Sequence, residues 1–115
     1  MEHTMRLDPS PFRMIKEGTK TIELRLYDEK RRRIGIGDTI RFVNAKNSCE
    51  ELRTVVEELH IYRSFKELYE DLPLRELGYA PDEMKSVSPE DMNRYYSPEQ
   101  QERYGVVGIR IARIG

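Results

Sequence analysis

Gly18-Thr19-Lys20-Thr21-Ile22-Glu23-Leu24-Arg25 brings an amine, a carboxylate and a guanidinium into eight residues. Side chains of a strand alternate faces, so residues two apart share one. Ile22, Leu24 and Leu26 therefore form an apolar face, and Thr21, Glu23, Arg25 and Tyr27 form the opposite one. Lys20 stands at the turn that leads in. Such a set serves two kinds of chemistry. A desolvated lysine has a lowered pKa and acts as a base or nucleophile. A charged lysine beside a guanidinium holds a phosphate or a carbonyl oxygen. Glu23 can accept from the exocyclic amine of a base or act as a general acid or base. The same three residues also build an ordinary ion pair, with Glu23 holding Lys20 or Arg25, or Arg25 held by Glu23 or Asp28.

Elements must position these groups. Met5-Arg6-Leu7 alternates as a short first strand. Asp8-Pro9-Ser10-Pro11 opens a helix, with Ser10 as N-cap, Pro11 in the first turn, and Phe12, Met14 and Ile15 on the buried side. Gly18 is the left-handed exit, and a strand over Thr21–Tyr27 follows. Asp28–Arg33 reads as a charged loop and Gly35–Asp38 as a turn. Thr39–Val43 is a strand, Asn44–Glu51 a polar loop, and Leu52–Tyr62 a long strand with a bulge at Val55-Val56.

Ser64-Phe65-Lys66-Glu67 has the pattern of a capping box and opens a helix with Phe65, Leu68, Tyr69 and Leu72 inward. A short turn over Leu74–Leu77 ends at Gly78. Ser88-Pro89-Glu90-Asp91 and Ser97-Pro98-Glu99-Gln100 are two further capped starts. Val107, Ile109 and Ile111 alternate in a last strand. Strands near both ends and in the middle, with a helical insertion at 64–104, predict an α+β fold: a small β-barrel with helices packed against it.

The chain has 115 residues and a formal net charge of −1, with 36% of residues charged. That length suits one domain, 1–115. Charge is unevenly spread. Residues 1–46 carry eleven Lys/Arg against seven Asp/Glu, whereas residues 47–105 carry seven against fourteen. The basic part surrounds the motif and can steer a polyanion to that side. Lys30-Arg31-Arg32-Arg33 can follow a phosphate backbone, although such runs are usually solvated. Tyr27 is the best placed of the tyrosines to stack on a base, and Tyr62, Tyr95, Tyr96 and Tyr104 are further candidates. Tyr95 and Tyr96 join the site only if the helical insertion covers it.

One cysteine, Cys49, excludes an internal disulfide and fits a reducing compartment. Its neighbours Glu50 and Glu51 disfavour a thiolate. His3 and His60 are far apart, so no metal-ligand spacing is present, and no cofactor is expected. His60, alone on a strand, is read as structural or exposed. No apolar run reaches the roughly 20 residues of a membrane span, and the first residues lack the pattern of a signal peptide. The expected setting is cytoplasmic.

Gly18-x-Lys20-x-x-Glu23-x-Arg25, with the Pro11-Phe12 helix before it, Gly37-Asp38 after it and Tyr104-Gly105-Val106-Val107-Gly108-Ile109 at the end, resembles the ASCH family of the PUA-like group. The resemblance spans most of the chain. It implies a β-barrel with a polar cleft and RNA or a modified nucleoside as ligand. The implied ligand-binding residues are Lys20, Glu23, Arg25 and Tyr27, with Lys30, Arg31 and Arg32 at the rim.

The bacterial acetylcytidine amidohydrolases of this family use a lysine where Lys20 stands, and other members are linked to RNA cleavage. The alternative reading is therefore a small hydrolase, a nucleoside amidohydrolase or ribonuclease, with Lys20 essential and Glu23 beside it as catalytic residues. Those amidohydrolases carry threonine where this chain has Glu23. They also use a further glutamate, for which Glu83 is nearest by position. A third reading is a protein-interaction module built on the acidic helices of 64–104.

Overall fold

The computed structural model describes residues 1–114. Its five strands form one curled mixed sheet in the order β1-β3-β4-β5-β2. These are β1 (Glu2–Leu7), β2 (Ile22–Leu26), β3 (Thr39–Asn44), β4 (Asn47–Tyr62) and β5 (Val106–Arg113). Helix α1 (Pro9–Glu17) follows β1. Helices α2 (Phe65–Asp71) and α3 (Pro98–Tyr104) belong to the insertion between β4 and β5. β1 runs parallel to β3, and the other pairings are antiparallel. The expected α+β small-barrel architecture is the one observed.

Sequence alternation places the two cores. Met5, Leu7, Phe12, Ile15, Ile40, Phe42, Leu52, Val56, Val107, Ile109 and Ile111 fill the barrel with α1 as its plug. Ile22, Leu24, Leu26 and Val106 face outward and are buried by Phe65, Leu68, Tyr69, Leu72 and Leu77 of the insertion. β2 is thus covered on both faces. That double cover, on an edge strand, removes its polar residues from water.

Three local expectations are corrected. Asn44–Glu51 is not a loop: β3 runs to Asn44 and β4 starts at Asn47, with Ala45-Lys46 as a tight hairpin turn. The exposed, polar start of β4 carries no apolar alternation, so pairing with β3 alone makes it a strand. The first helix begins at Pro9, which places Asp8 rather than Ser10 at its cap position, without a side-chain cap bond. The strand irregularity falls one step later than Val55-Val56: register shifts between Val56 and Glu58.

Other punctuation is as read. Gly18 ends α1 at φ 85°. Ser64 and Ser97 accept from the backbone N–H three residues on, and Ser88 accepts from that of Glu90. The first of the two Ser-Pro starts gives a 3-10 turn, Pro89–Arg94, and the second gives α3. Among the described residues no helix is long and apolar enough to cross a membrane.

Candidate functional site

Strand pairing fixes where the motif points. Glu23 lies opposite Ile109 and Arg25 opposite Val107, both barrel-facing residues of β5. Glu23 and Arg25 therefore point to the barrel side, while Ile22, Leu24 and Leu26 point to the insertion. Glu23 is 5% exposed and Lys20 7%. Charged groups are seldom this buried without partners.

The partners are present. Glu23 Oε2 accepts from Arg25 Nε at 2.9 Å, and Glu23 Oε1 accepts from the backbone N–H of Leu24 at 3.1 Å. Lys20 Nζ stands 3.5 Å from Glu23 Oε1 and donates to the carbonyl of Leu77 at 3.0 Å. Arg25 Nη2 donates to the carbonyl of Arg6 at 2.9 Å. Since β1 and β2 are the two edges of the sheet, this last bond closes the seam of the barrel.

One carboxylate thus serves two cations, and it serves Arg25 better. The acid-base consequences follow. Burial lowers the Lys20 pKa from the usual lysine value, and Arg25 adds to this; Glu23 offsets only part of it. Burial alone would raise Glu23, but Arg25 and Lys20 together hold it below the usual carboxylate range. Arg25 stays a fixed cation: burial lowers its pKa, but Glu23 and Tyr96 together more than offset this.

The helical insertion covers the motif. The carbonyl of Glu76 accepts from the N–H groups of both Thr21 and Ile22, at 2.9 and 3.0 Å. The Glu76 side chain accepts from Thr21 Oγ1 at 3.1 Å and pairs with Arg110. Gly78, at φ 108°, presses on Lys20: a Cβ there would sit 3.5 Å from Lys20 Cδ and 3.2 Å from Met14. Such a φ is open to glycine and strained for other residues.

Farther along, Tyr96 is partly buried against the insertion core, and burial raises the pKa of its hydroxyl, an effect that Arg25 offsets in part. Its ring stacks on Phe65 with centroids 6.0 Å apart. Tyr95, by contrast, is 57% exposed.

The other sequence candidates occupy the Arg25 end of β2. Tyr27 is half-buried against the barrel core, with the Arg32 guanidinium 4.3 Å over its ring. Arg32 also donates to the carbonyl of Tyr104 at 3.2 Å. Arg31 is tied to Asp28 by backbone and guanidinium bonds of 3.0 and 3.1 Å. Lys30 is exposed. Glu83 is turned away: it is exposed and caps its own turn by accepting from Ala80 N–H at 2.9 Å. Cys49 is exposed, and His60 pairs with Glu58 at 2.7 Å.

A pocket of about 350 Å³ opens beside Lys20, lined also by Thr21, Glu57, Glu76, Arg110 and Arg113. Glu23, Arg25 and Tyr27 do not line it. Glu76 and Tyr96 are the residues that sequence reasoning missed or left open. Each lies more than fifty positions from the motif, and only the docking of the insertion brings it there.

A model of the ASCH domain matches residues 5–115. No curated protein matches the chain significantly. The crystal structure of the hypothetical protein PH0355 is 36% identical, with a TM-score of 0.81, over 99% of this chain and 100% of that one. The solution structure of protein PF0455 from Pyrococcus furiosus is also 36% identical, with a TM-score of 0.72, over 99% of this chain and 98% of that one. The crystal structure of ASCH from Zymomonas mobilis shares the fold at 16% identity and a TM-score of 0.65, over 96% of this chain and 66% of that one. With nearly its whole length matched, the chain belongs to the ASCH domain family.

Proposed function

We propose that this domain binds RNA or a modified nucleoside, with Lys20, Glu23 and Arg25 as the floor of the site and Tyr27 and the Lys30–Arg33 turn beside it. The carrying observation is the buried triad, in which one carboxylate stands between two cations at 2.9 and 3.5 Å. A surface ion pair stays in water and contributes little. A buried one carries a desolvation cost, and an apolar trio would avoid it. Membership of the family supports the class of ligand.

A hydrolytic reading is favoured by one observation, the burial that lowers the Lys20 pKa. An amine that loses its proton more readily suits attack or proton abstraction. Glu76, on the segment that receives the Lys20 bond, is then a better second carboxylate than Glu83, since it lines the same pocket as Lys20.

Thermal shift with ribonucleosides, acetylated ribonucleosides and short single-stranded RNA, with product analysis by mass spectrometry, separates these readings. Stabilisation with the ligand unchanged supports binding. Turnover makes the protein an enzyme. Binding that survives Lys20→Met removes the triad from both, and binding of an acidic-helix partner alone favours the interaction module.

A further inference from the structure

Lys20 and Glu23 are so deeply covered that a ligand reaches them only after something moves. Most of their cover is strand and barrel core. The turn at 73–78 is built differently. It belongs to no helix or strand, and its backbone bonds close on itself: the N–H groups of Glu76, Leu77 and Gly78 donate to the carbonyls of Pro73, Leu74 and Arg75 at 3.1, 3.2 and 3.1 Å. Leu77 alone among its residues is buried.

Both ends of this turn are anchored. Leu72, just before it, is seated on β5, where a Cβ added at Gly108 would come within 2.7 Å of Leu72 Cδ1. Tyr79, just after it, is bonded to Tyr69 of α2 through the two hydroxyls at 2.7 Å. Pro73 and Gly78 stand at the two joints, and Gly78 has the left-handed backbone that glycine adopts freely. A compact turn between two fixed ends can swing as one piece.

What holds the turn shut is largely polar. The Glu76 carbonyl accepts from the N–H groups of Thr21 and Ile22, the Glu76 carboxylate from Thr21 Oγ1 and Arg110, and the Leu77 carbonyl from Lys20 Nζ. Water can replace each of these partners when the turn lifts, so the net loss per bond is small. Arg110 keeps its other partner, Glu58, at 3.0 Å, which leaves the barrel side of the latch in place. Glu76 and Arg110 already wall the pocket beside Lys20. Lifting the turn extends that pocket over Lys20 toward Glu23 Oε1, which stands 3.5 Å from Lys20 Nζ.

We propose that the turn at 73–78 is a hinged strap: shut, it buries Lys20, and lifted, it opens the pocket onto Lys20 and Glu23. It regulates access to the ligand site proposed above and, as far as the ligand is concerned, rests on that reading. The strap itself is tested without a ligand.

The test is native-state hydrogen exchange of the full chain, read amide by amide by NMR, with pulsed acylation of lysines by acetic anhydride alongside. The amides of Thr21 and Ile22 are expected to be at least about 10-fold less protected than those of Ile40 and Phe42, in the interior strand β3. Successive amides of a strand face opposite sides, so with Ile22 N–H on Glu76 those of Glu23 and Arg25 face β5. They are expected to stay as protected as β3. Glu76→Ala speeds exchange at Thr21 and Ile22, and acylation of Lys20, by about 5-fold or more, and leaves β3 unchanged. Glu70→Ala, at an exposed position of α2, alters neither. Where Glu76→Ala also lowers global stability, the wild-type exchange pattern still decides. Thr21 and Ile22 as protected as Ile40 and Phe42 would mean a rigid cover and overturn the strap. Glu23 and Arg25 exchanging as fast as Thr21 and Ile22 would mean that the whole edge strand frays, and would overturn it too. Either result leaves the nucleobase reading to its own titration. A strap that lifts over a site binding no nucleobase ligand overturns that reading alone.

Discussion

Lys20 donates its ammonium hydrogen to the main-chain carbonyl of Leu77 at 3.0 Å, across 57 positions of sequence. The motif that begins at Lys20 is therefore not a free surface of the barrel. It is held under the helical insertion, by Leu77 directly and by Glu76 through Thr21 and Ile22. Burial by this insertion lowers the Lys20 pKa.

Lys20→Met keeps the stem and deletes the charge. Because the folded-state pKa lies below 10.5, the unfolded chain binds more protons at this residue between the two values. Stability from Lys20 thus rises with pH on the approach to 10.5. Urea midpoints measured at a series of alkaline pH values are expected to rise more in wild type than in Lys20→Met. Parallel curves would mean that Lys20 titrates as an ordinary exposed amine.

Arg25→Ala removes the nearer partner of Glu23 and the bond that joins the two edge strands. A loss of about 3 kcal/mol is expected, as for other buried pairs broken on one side. Adding Glu23→Gln relieves the stranded carboxylate, so the double variant is less destabilised than the sum of the singles. Denaturant unfolding of the four proteins in the cycle measures this, and simple additivity would argue against the pair.

Gly78→Ala forces a side chain into a φ of 108° and toward Met14 and Lys20. It is expected to cost about 1–3 kcal/mol. It also displaces the Leu77 carbonyl, so acylation of the Lys20 amine, followed peptide by peptide in mass spectrometry, becomes faster. Unchanged stability and unchanged labelling would show that the segment is loosely held.

Asp38 titrates far from the site and tests the barrel. Its bond to His3 (2.9 Å), then the Gly35 N–H, hold its pKa down at about 2, against an ordinary 3.8. A depressed carboxylate contributes stability that is present above 3.8 and lost as pH falls toward 2. Asp38→Asn is expected to flatten the acid limb of stability in that window. An identical acid limb would remove the Asp38–His3 contact from the balance.

Much of this was legible in the sequence, for identifiable reasons. Two-residue alternation assigns Glu23 and Arg25 one face and Leu24 the other, and strand pairing with β5 keeps them there. Serine caps mark the starts of α2 and α3 because side-chain oxygen to N–H bonds are local. The β3–β4 hairpin was hidden because its turn, Ala45-Lys46, has neither glycine nor a left-handed residue, and the strand beyond is polar and exposed. Glu76 was hidden, and Tyr96 left conditional, for a different reason. Their roles depend on how the insertion docks, a long-range outcome of burying Phe65, Leu68, Leu72 and Leu77 on Ile22, Leu24 and Leu26.

The most direct test of the central claim is a titration of wild type and Lys20→Met with ribonucleosides, their monophosphates and a short single-stranded RNA, with both proteins shown to be folded. Wild type is expected to bind at least one of these, and Lys20→Met to bind it at least about 10-fold more weakly. Equal binding by the two proteins, or none by wild type, would contradict a nucleobase-ligand site built on Lys20, Glu23 and Arg25.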